Sequence, residues 1–289
     1  MCRLLGYAAA GGGASLADVL GPSVASFRNL SEIHNDGWGV SMLTEPSVAP
    51  HMLDGGEPSP EIGTSLYRNT QAARHDPLFP EFADIPARSA LWHLRLASSH
   101  QPLIIENQQP FHAAGTSFIH NGDLSDETGV NVTRSHVVPI NPAAVAATGG
   151  RSDSAVYFAA IREYVGFGFS LPQAVSLAIR YLRHYYPQAS YNCMIQSGDL
   201  FVAAHACGTE PQVEREILDI YTRYGRAQDA PVYRDMRYKT VFDASGTQIG
   251  VVAASTGFDE PAAEGWHELD NNHMIIASNR TGKFRVAPL

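Results

Sequence analysis

A chain of 289 residues that is 44% hydrophobic and 17% charged has ordinary globular composition, and it can bury a sizeable core without disulfides or a structural metal. Its net charge of −9, with no Lys/Arg-rich run, argues against nucleic acid or an anionic membrane as partner. No stretch approaches the roughly 20 apolar residues that span a bilayer, and no signal-peptide pattern opens the chain, so the expected setting is cytoplasmic.

In chain order, "CRLLGYAA" at 2–9 reads as a buried strand. Gly11-Gly12-Gly13 lacks the Lys and Ser/Thr of a phosphate loop and reads as a turn. A helix is expected over 15–30, with Ser15 as N-cap and an interruption at Gly21-Pro22. A short strand follows at 38–43, then a helix over 60–75 with Pro60 near its first position. Strands are expected at 89–97 and 116–122, and a long polar loop at 123–151. Two helices follow, at 152–165 and 171–186, the second with apolar residues at helical spacing. Hairpins are read at 191–206, turning at Ser197-Gly198-Asp199, and at 238–255. The last strands fall at 273–278 and 284–289. Hairpin strands with helices grouped between them point to α+β. No repeat or linker forces a boundary, so 1–289 is read as one domain.

The cysteines are Cys2, Cys193 and Cys207. An odd count without paired spacing does not suggest disulfides, and neither C-x-x-C nor H-E-x-x-H is present, so no metal is expected. Cys193 and Cys207 read as inert core thiols. Cys2 is different, because methionine is trimmed before a small second residue. Trimming leaves a thiol and a free α-amine on one residue, and that amine has a pKa of about 7.7–8.0. Such a nucleophile can be activated by its own amine. Position alone favours a blander reading, the small apolar start of a buried strand.

Six ordered pieces change that balance. They are "MCRLLGY", "HNDGWGVSM" at 34–42, "HLRLAS" at 93–98, "ENQQPF" at 106–111, "HNGDL" at 120–124 and "GRSDSAVYFAAI" at 150–161. Together they resemble the glutamine-binding half of the class II glutamine amidotransferases, whose nucleophile is an N-terminal cysteine. The resemblance covers about residues 1–165. Beyond that it weakens, and 251–278 is similar to the standalone members, including the γ-glutamyl hydrolase type of ergothioneine biosynthesis.

The resemblance implies a four-layer αββα N-terminal nucleophile hydrolase fold, with two stacked, mainly antiparallel sheets. It implies cleavage of a γ-glutamyl amide through a γ-glutamyl thioester on Cys2, with no metal or organic cofactor. Asn121 and Gly122 would form the oxyanion hole. Arg95 would take the substrate α-carboxylate through its planar fork, and Asp153 the α-ammonium. Ser98 stands where the family has threonine and keeps the hydroxyl. His100 replaces a glycine, which narrows the pocket or adds a polar contact to the leaving group.

The residues themselves leave other readings open. Asn121-Gly122 suits a hairpin turn, Arg95 a strand-end surface charge, and Asp153 a first-turn helix carboxylate with Ser152 as cap. His93 and His120 read as hydrogen-bonded structural histidines. Trp38 reads as core or turn-shaping, and Asn107 and Phe111 as supports under the pocket. The partner expected is a small γ-glutamyl molecule, glutamine or a conjugate. Two alternatives stay open: a glutaminase subunit that delivers ammonia to a separate synthase, and a non-catalytic γ-glutamyl-binding protein.

Overall fold

The structure, a computed structural model, describes residues 2–44, 63–97, 102–135, 137–209, 211–259 and 264–289. The expected Ser98 and His100 lie outside the described residues.

The strands, in chain order, are β1 (Arg3–Ala9), β2 (Trp38–Thr44), β3 (Gly63–Asn69), β4 (Ser89–Leu94), β5 (Phe111–Ala113), β6 (Thr116–Asn121), β7 (Asn192–Ser197), β8 (Leu200–His205), β9 (Met236–Phe242), β10 (Gln248–Ser255), β11 (His267–Leu269), β12 (His273–Ser278) and β13 (Phe284–Pro288). The helices are α1 (Leu16–Leu20), α2 (Ser23–Asn29), α3 (Leu78–Ala83), α4 (Val132–Ser135), α5 (Pro142–Ala146), α6 (Asp153–Gly166), α7 (Leu171–Tyr185) and α8 (Pro211–Arg223).

Two antiparallel sheets stack face to face. Among the described residues the first runs β11-β9-β10-β1-β4-β2-β3 and the second β13-β12-β8-β7-β6-β5. Strand alternation decides what each face does. From β1, Leu4 and Ala8 turn inward, with Leu91, Ile119, Met194 and Phe201, to form the layer between the sheets. Leu5 and Tyr7 turn outward with Trp38, Trp92 and Leu94 and pack under α1, α2 and α3. The outer face of the second sheet packs against α6 and α7 through Phe118, Cys193 and Ile195. The result is the four-layer α+β sandwich expected from the sequence.

Local chemistry explains the helix ends. Ser15 caps α1 in a reciprocal capping box with Asp18. Gly21 ends that helix at φ +55°, a left-handed conformation, and α2 restarts two residues later. Ser170 and Gln173 form a second capping box on α7. Ser152 occupies the N-cap of α6 without a side-chain bond; Asp153 supplies one instead, accepting from the Ser154 N–H at 2.8 Å.

Two expectations are corrected. The helix over 60–75 is not formed: 63–69 is β3, paired antiparallel with β2, and 73–75 is a single 3₁₀ turn. Residues 60–62 lie outside the described residues. Gly63, Ser65 and Tyr67 are buried while Thr64, Leu66 and Arg68 are half-exposed, a period of two that suits an edge strand. The stretch 123–151 is not a plain loop, because it holds α4 and α5.

Candidate active site

The first sheet brings Cys2 and Arg95 together by register. Arg3 pairs with Leu94 and Leu4 with His93, so one further step sets Cys2 against Arg95. Leu4 and Leu91 both face the second sheet. By alternation Cys2, His93 and Arg95 share that inner face, at the end of the intersheet layer. Arg3 points the opposite way and bonds His34, Tyr221 and the Tyr233 carbonyl.

Across the gap lies Asn121, the last residue of β6. Its Oδ1 accepts the Cys2 backbone N–H at 2.8 Å. Its Nδ2 is buried and has no hydrogen-bond partner among the described residues. A buried amide donor left unpaired costs about 1–3 kcal/mol, so this one stands ready for an acceptor that arrives from outside. Gly122 follows, and a Cβ there would sit 2.0 Å from the Ser190 carbonyl oxygen and 2.5 Å from His120 Nε2. Only glycine fits.

Cys2 is buried, 7% exposed, and its Sγ lies 3.8 Å from the Leu96 carbonyl oxygen. Burial pushes its thiol pKa up. The positive charge of the untrimmed terminus, on Met1, and then the His93 ring outweigh that, and the thiol of the untrimmed chain is lowered to about 5. By contrast, burial pushes Cys193 up to about 12, and Cys207 is also raised by burial. Cys193 is the core thiol the sequence suggests, whereas Cys207 is half-buried and stands outside the core.

Arg95 is held by a turn that the "HNDGWG" stretch builds. Its N–H donates to the Gly37 carbonyl at 2.9 Å, and its carbonyl accepts from the Asp36 N–H at 3.0 Å. Asp36 Oδ2 also accepts the Ala97 N–H at 2.8 Å. Gly37 sits at φ +126°, where a Cβ would strike the Asn69 carbonyl and Gln108. Trp38 fixes the turn from below, its indole N–H donating to buried Asp76 at 2.9 Å. The Arg95 side chain is buried, not a surface charge. One terminal nitrogen donates to the Pro102 carbonyl at 3.1 Å; the other is buried without a partner among the described residues.

Asp153 opens α6 and is buried. It accepts from the Leu124 N–H at 2.9 Å and from Asn131 Nδ2 at 3.4 Å. Asn131 also donates to Asp123 at 3.3 Å, so one amide bridges two carboxylates. Burial, and then the negative charge of Asp123, raise Asp153 to about 6. Sequence reasoning missed Asp123 and Asn131. The "HNGDL" motif offered the first; nothing local offered the second.

The histidines divide. His120 is the structural residue expected, with Nδ1 at 2.9 Å from Ser154 Oγ and Nε2 at 3.0 Å from the Ser190 carbonyl. Burial lowers it to about 4. His93 departs from the expectation: it is fully buried, and neither ring nitrogen has a hydrogen-bond partner of good geometry among the described residues. Asn107 does support the site. It donates to the Pro102 carbonyl at 3.4 Å and accepts from the Arg151 N–H at 3.1 Å. Among the described residues no cluster of His, Cys, Asp or Glu is arranged to hold a metal ion. Nor is any helix among them long and apolar enough to cross a membrane.

Two stacked antiparallel sheets between helical layers, with a cysteine at the start of a central strand, define the N-terminal nucleophile hydrolase fold. Solved structures similar to this chain include a class II glutamine amidotransferase-type domain protein and other amidotransferases. One is a glutamine aminotransferase class-II domain protein from Silicibacter pomeroyi, at TM-score 0.55 and 17% identity, covering 100% of this chain and 99% of that one. A second is a predicted glutamine amidotransferase from Pseudomonas aeruginosa, at TM-score 0.51 and 15% identity, covering 98% and 99%. A third is glutamine phosphoribosylpyrophosphate amidotransferase from B. subtilis, at TM-score 0.57 and 13% identity. That match covers 99% of this chain and 49% of the other, so this chain spans about half its length. At these identities the likeness is one of fold. No protein-family description and no curated protein matches the chain.

Proposed function

We propose that this protein is an N-terminal-cysteine amidohydrolase that cleaves γ-glutamyl amides to release glutamate. The observation that carries the reading is the Asn121 side chain. Its oxygen holds the Cys2 nitrogen while its buried amide nitrogen waits unpaired. Once Met1 is removed, that nitrogen is the catalytic amine. One residue then positions the base and offers an oxyanion donor. Such donors are worth roughly 10²–10³ in rate.

The chemistry follows from the charges. In the trimmed chain the thiol and the α-amine share one proton on one residue, and the reactive form is the one with the sulfur ionised and the amine protonated. The sulfur lone pair attacks the γ-carbonyl carbon, and the carbonyl electrons move onto oxygen, facing Asn121 Nδ2 and the Gly122 N–H. Collapse breaks the C–N bond, and the ammonium gives its proton to the departing amine. Water, deprotonated by the same amine, attacks the thioester. The second collapse expels the thiolate and frees glutamate. The partnerless Arg95 nitrogen takes the α-carboxylate. Asp153 and Asp123 take the α-ammonium. An amide without these charges would leave Arg95 unpaired.

Within this class, the resemblance at 251–278 favours a standalone hydrolase of γ-glutamyl conjugates, with the ergothioneine-pathway type among the candidates. The test is intact mass, then labelling with a γ-glutamyl diazoketone, then a panel of γ-glutamyl amides. We expect Met1 absent, one label on Cys2, and glutamate released. Retained Met1 or an unlabelled Cys2 sinks the reading. Ammonia release that rises on mixing with a synthase would identify a glutaminase subunit instead.

A further inference from the structure

His93 is a buried polar side chain beside the nucleophile that the mechanism leaves without a task. It stands on β4 opposite Leu4, on the face that meets the second sheet. Its neighbours along that face are Leu91 on one side and Arg95 on the other. Cys2 is its diagonal neighbour across the β1–β4 pair, within reach of an imidazole ring. A structural histidine in such a layer is hydrogen-bonded, as His120 is through both nitrogens. His93 has neither nitrogen satisfied among the described residues and is 0% exposed. The Cys2 thiol feels that ring, both through its charge and as a hydrogen-bonding side chain.

We propose that His93 is a thiolate partner: a ring N–H donates to Cys2 sulfur from beneath the pocket and holds it aimed at the substrate carbonyl. The inference rests on the hydrolase reading for its purpose, but not for its test. Terminal amine and imidazole then divide the work. The amine moves the proton, while the imidazole keeps its own and stabilises the charged sulfur. The apolar walls strengthen the contact, because Leu4, Leu91 and Ile119 keep the local dielectric low. Imperfect alignment in the unliganded site is expected, since such bonds tighten when substrate arrives.

Several charged or titratable groups face this sulfur. From the first sheet they are the terminal amine, His93 and Arg95. On the second sheet His120 turns to the opposite face, against Phe118 and Tyr157, and Asp123 follows β6 with its charge acting on Asp153 at the start of α6. His120 is influenced by the terminus, Asp123 and His93 together, which places all of them in one field. A pH profile must therefore compare variants, not rest on one curve.

The experiment is the pH dependence of Cys2 alkylation by iodoacetamide, followed by intact mass, in wild type, His93→Phe and His93→Gln. It needs no substrate, so it reads His93 even if no γ-glutamyl amide is turned over. We expect the midpoint of the His93→Phe profile to move up by about one pH unit, so that labelling at pH 5 slows about fivefold. His93→Gln, which keeps an N–H, should recover part of that rate. An unchanged profile in a folded His93→Phe protein overturns the proposal. If His93→Phe does not fold, ¹⁵N-histidine spectra of wild type and Cys2→Ala decide. The His93 ring signals should move when the sulfur is removed, and signals that stay put overturn the proposal equally.

Discussion

Asn107 accepts the backbone N–H of Arg151 at 3.1 Å, across 44 residues of chain. The other end of the same amide reaches the Pro102 carbonyl, which also accepts from Arg95. The proposed carboxylate site and the segment leading to Asp153 are therefore braced by one side chain. Asn107→Ala leaves buried partners unpaired at a cost of about 1–3 kcal/mol. The expected result is KM for a γ-glutamyl amide raised about tenfold with kcat changed far less, a split that steady-state kinetics will show.

Asn121→Ala removes the amine tether and the oxyanion donor together. Turnover should fall by roughly 10²–10³ or more, the range for loss of one such donor. Binding of glutamate, whose planar γ-carboxylate does not reproduce the tetrahedral oxyanion, should change less. Calorimetry of glutamate binding beside single-turnover rates separates the two effects.

Gly122→Ala drives a Cβ to 2.0 Å from the Ser190 carbonyl. Backbone must move, at a cost of about 1–3 kcal/mol or more. A drop in melting temperature together with loss of activity is expected. Full stability with full activity would show that the strand end relaxes more than the packing allows.

Asp153 gives a pH signature whose sign can be worked out. The folded carboxyl keeps its proton up to about pH 6, whereas an unfolded one releases it near 3.9. Between those values the folded state binds more protons, so this group's contribution to stability falls as pH rises. His120 works the other way. Its folded pKa of about 4 lies below the unfolded value near 6.5, so stability grows with pH over that window. The two slopes oppose each other in the wild type. In Asp153→Asn this carboxyl's falling slope is gone, so the variant should gain stability relative to wild type from pH 4 to 6. Urea melts across that range test it. KM of the wild type should also rise as pH falls below 6, because the α-ammonium needs the ionised carboxylate.

Much of the architecture was legible because burial follows period. Strands such as β1 and β4 announce themselves by apolar runs, and α7 by helical spacing with a capping serine. The failure at 63–69 has a physical cause. The helix start read at Pro60 hid the period of two in "GTSLYRN", which is stabilised by the partner strand β2 that local reasoning cannot see. The helices α4 and α5 are four and five residues long and too short to carry a periodic signal. The helix α8 also escaped, though Ile217 and Tyr221 are buried four apart. At the site, Cys2 and Asn121 meet directly, and register sets Arg95 beside them. The placing of His93 needed alternation along β4, which apolar context alone concealed. The Asn131 bridge between Asp123 and Asp153 joins residues 8 and 22 positions apart and exists only once the chain has folded.

The closed surroundings of Cys2 bear on timing. An aminopeptidase needs an extended, accessible end, yet here that sulfur is sheltered and the adjoining nitrogen is already engaged by Asn121. On the proposed mechanism, removal of the initiator residue is expected on the nascent chain, before the sheets close over Cys2. Material that folds untrimmed would stay permanently inert, and refolding it in the presence of the peptidase, rather than treating it afterwards, is the route that restores it.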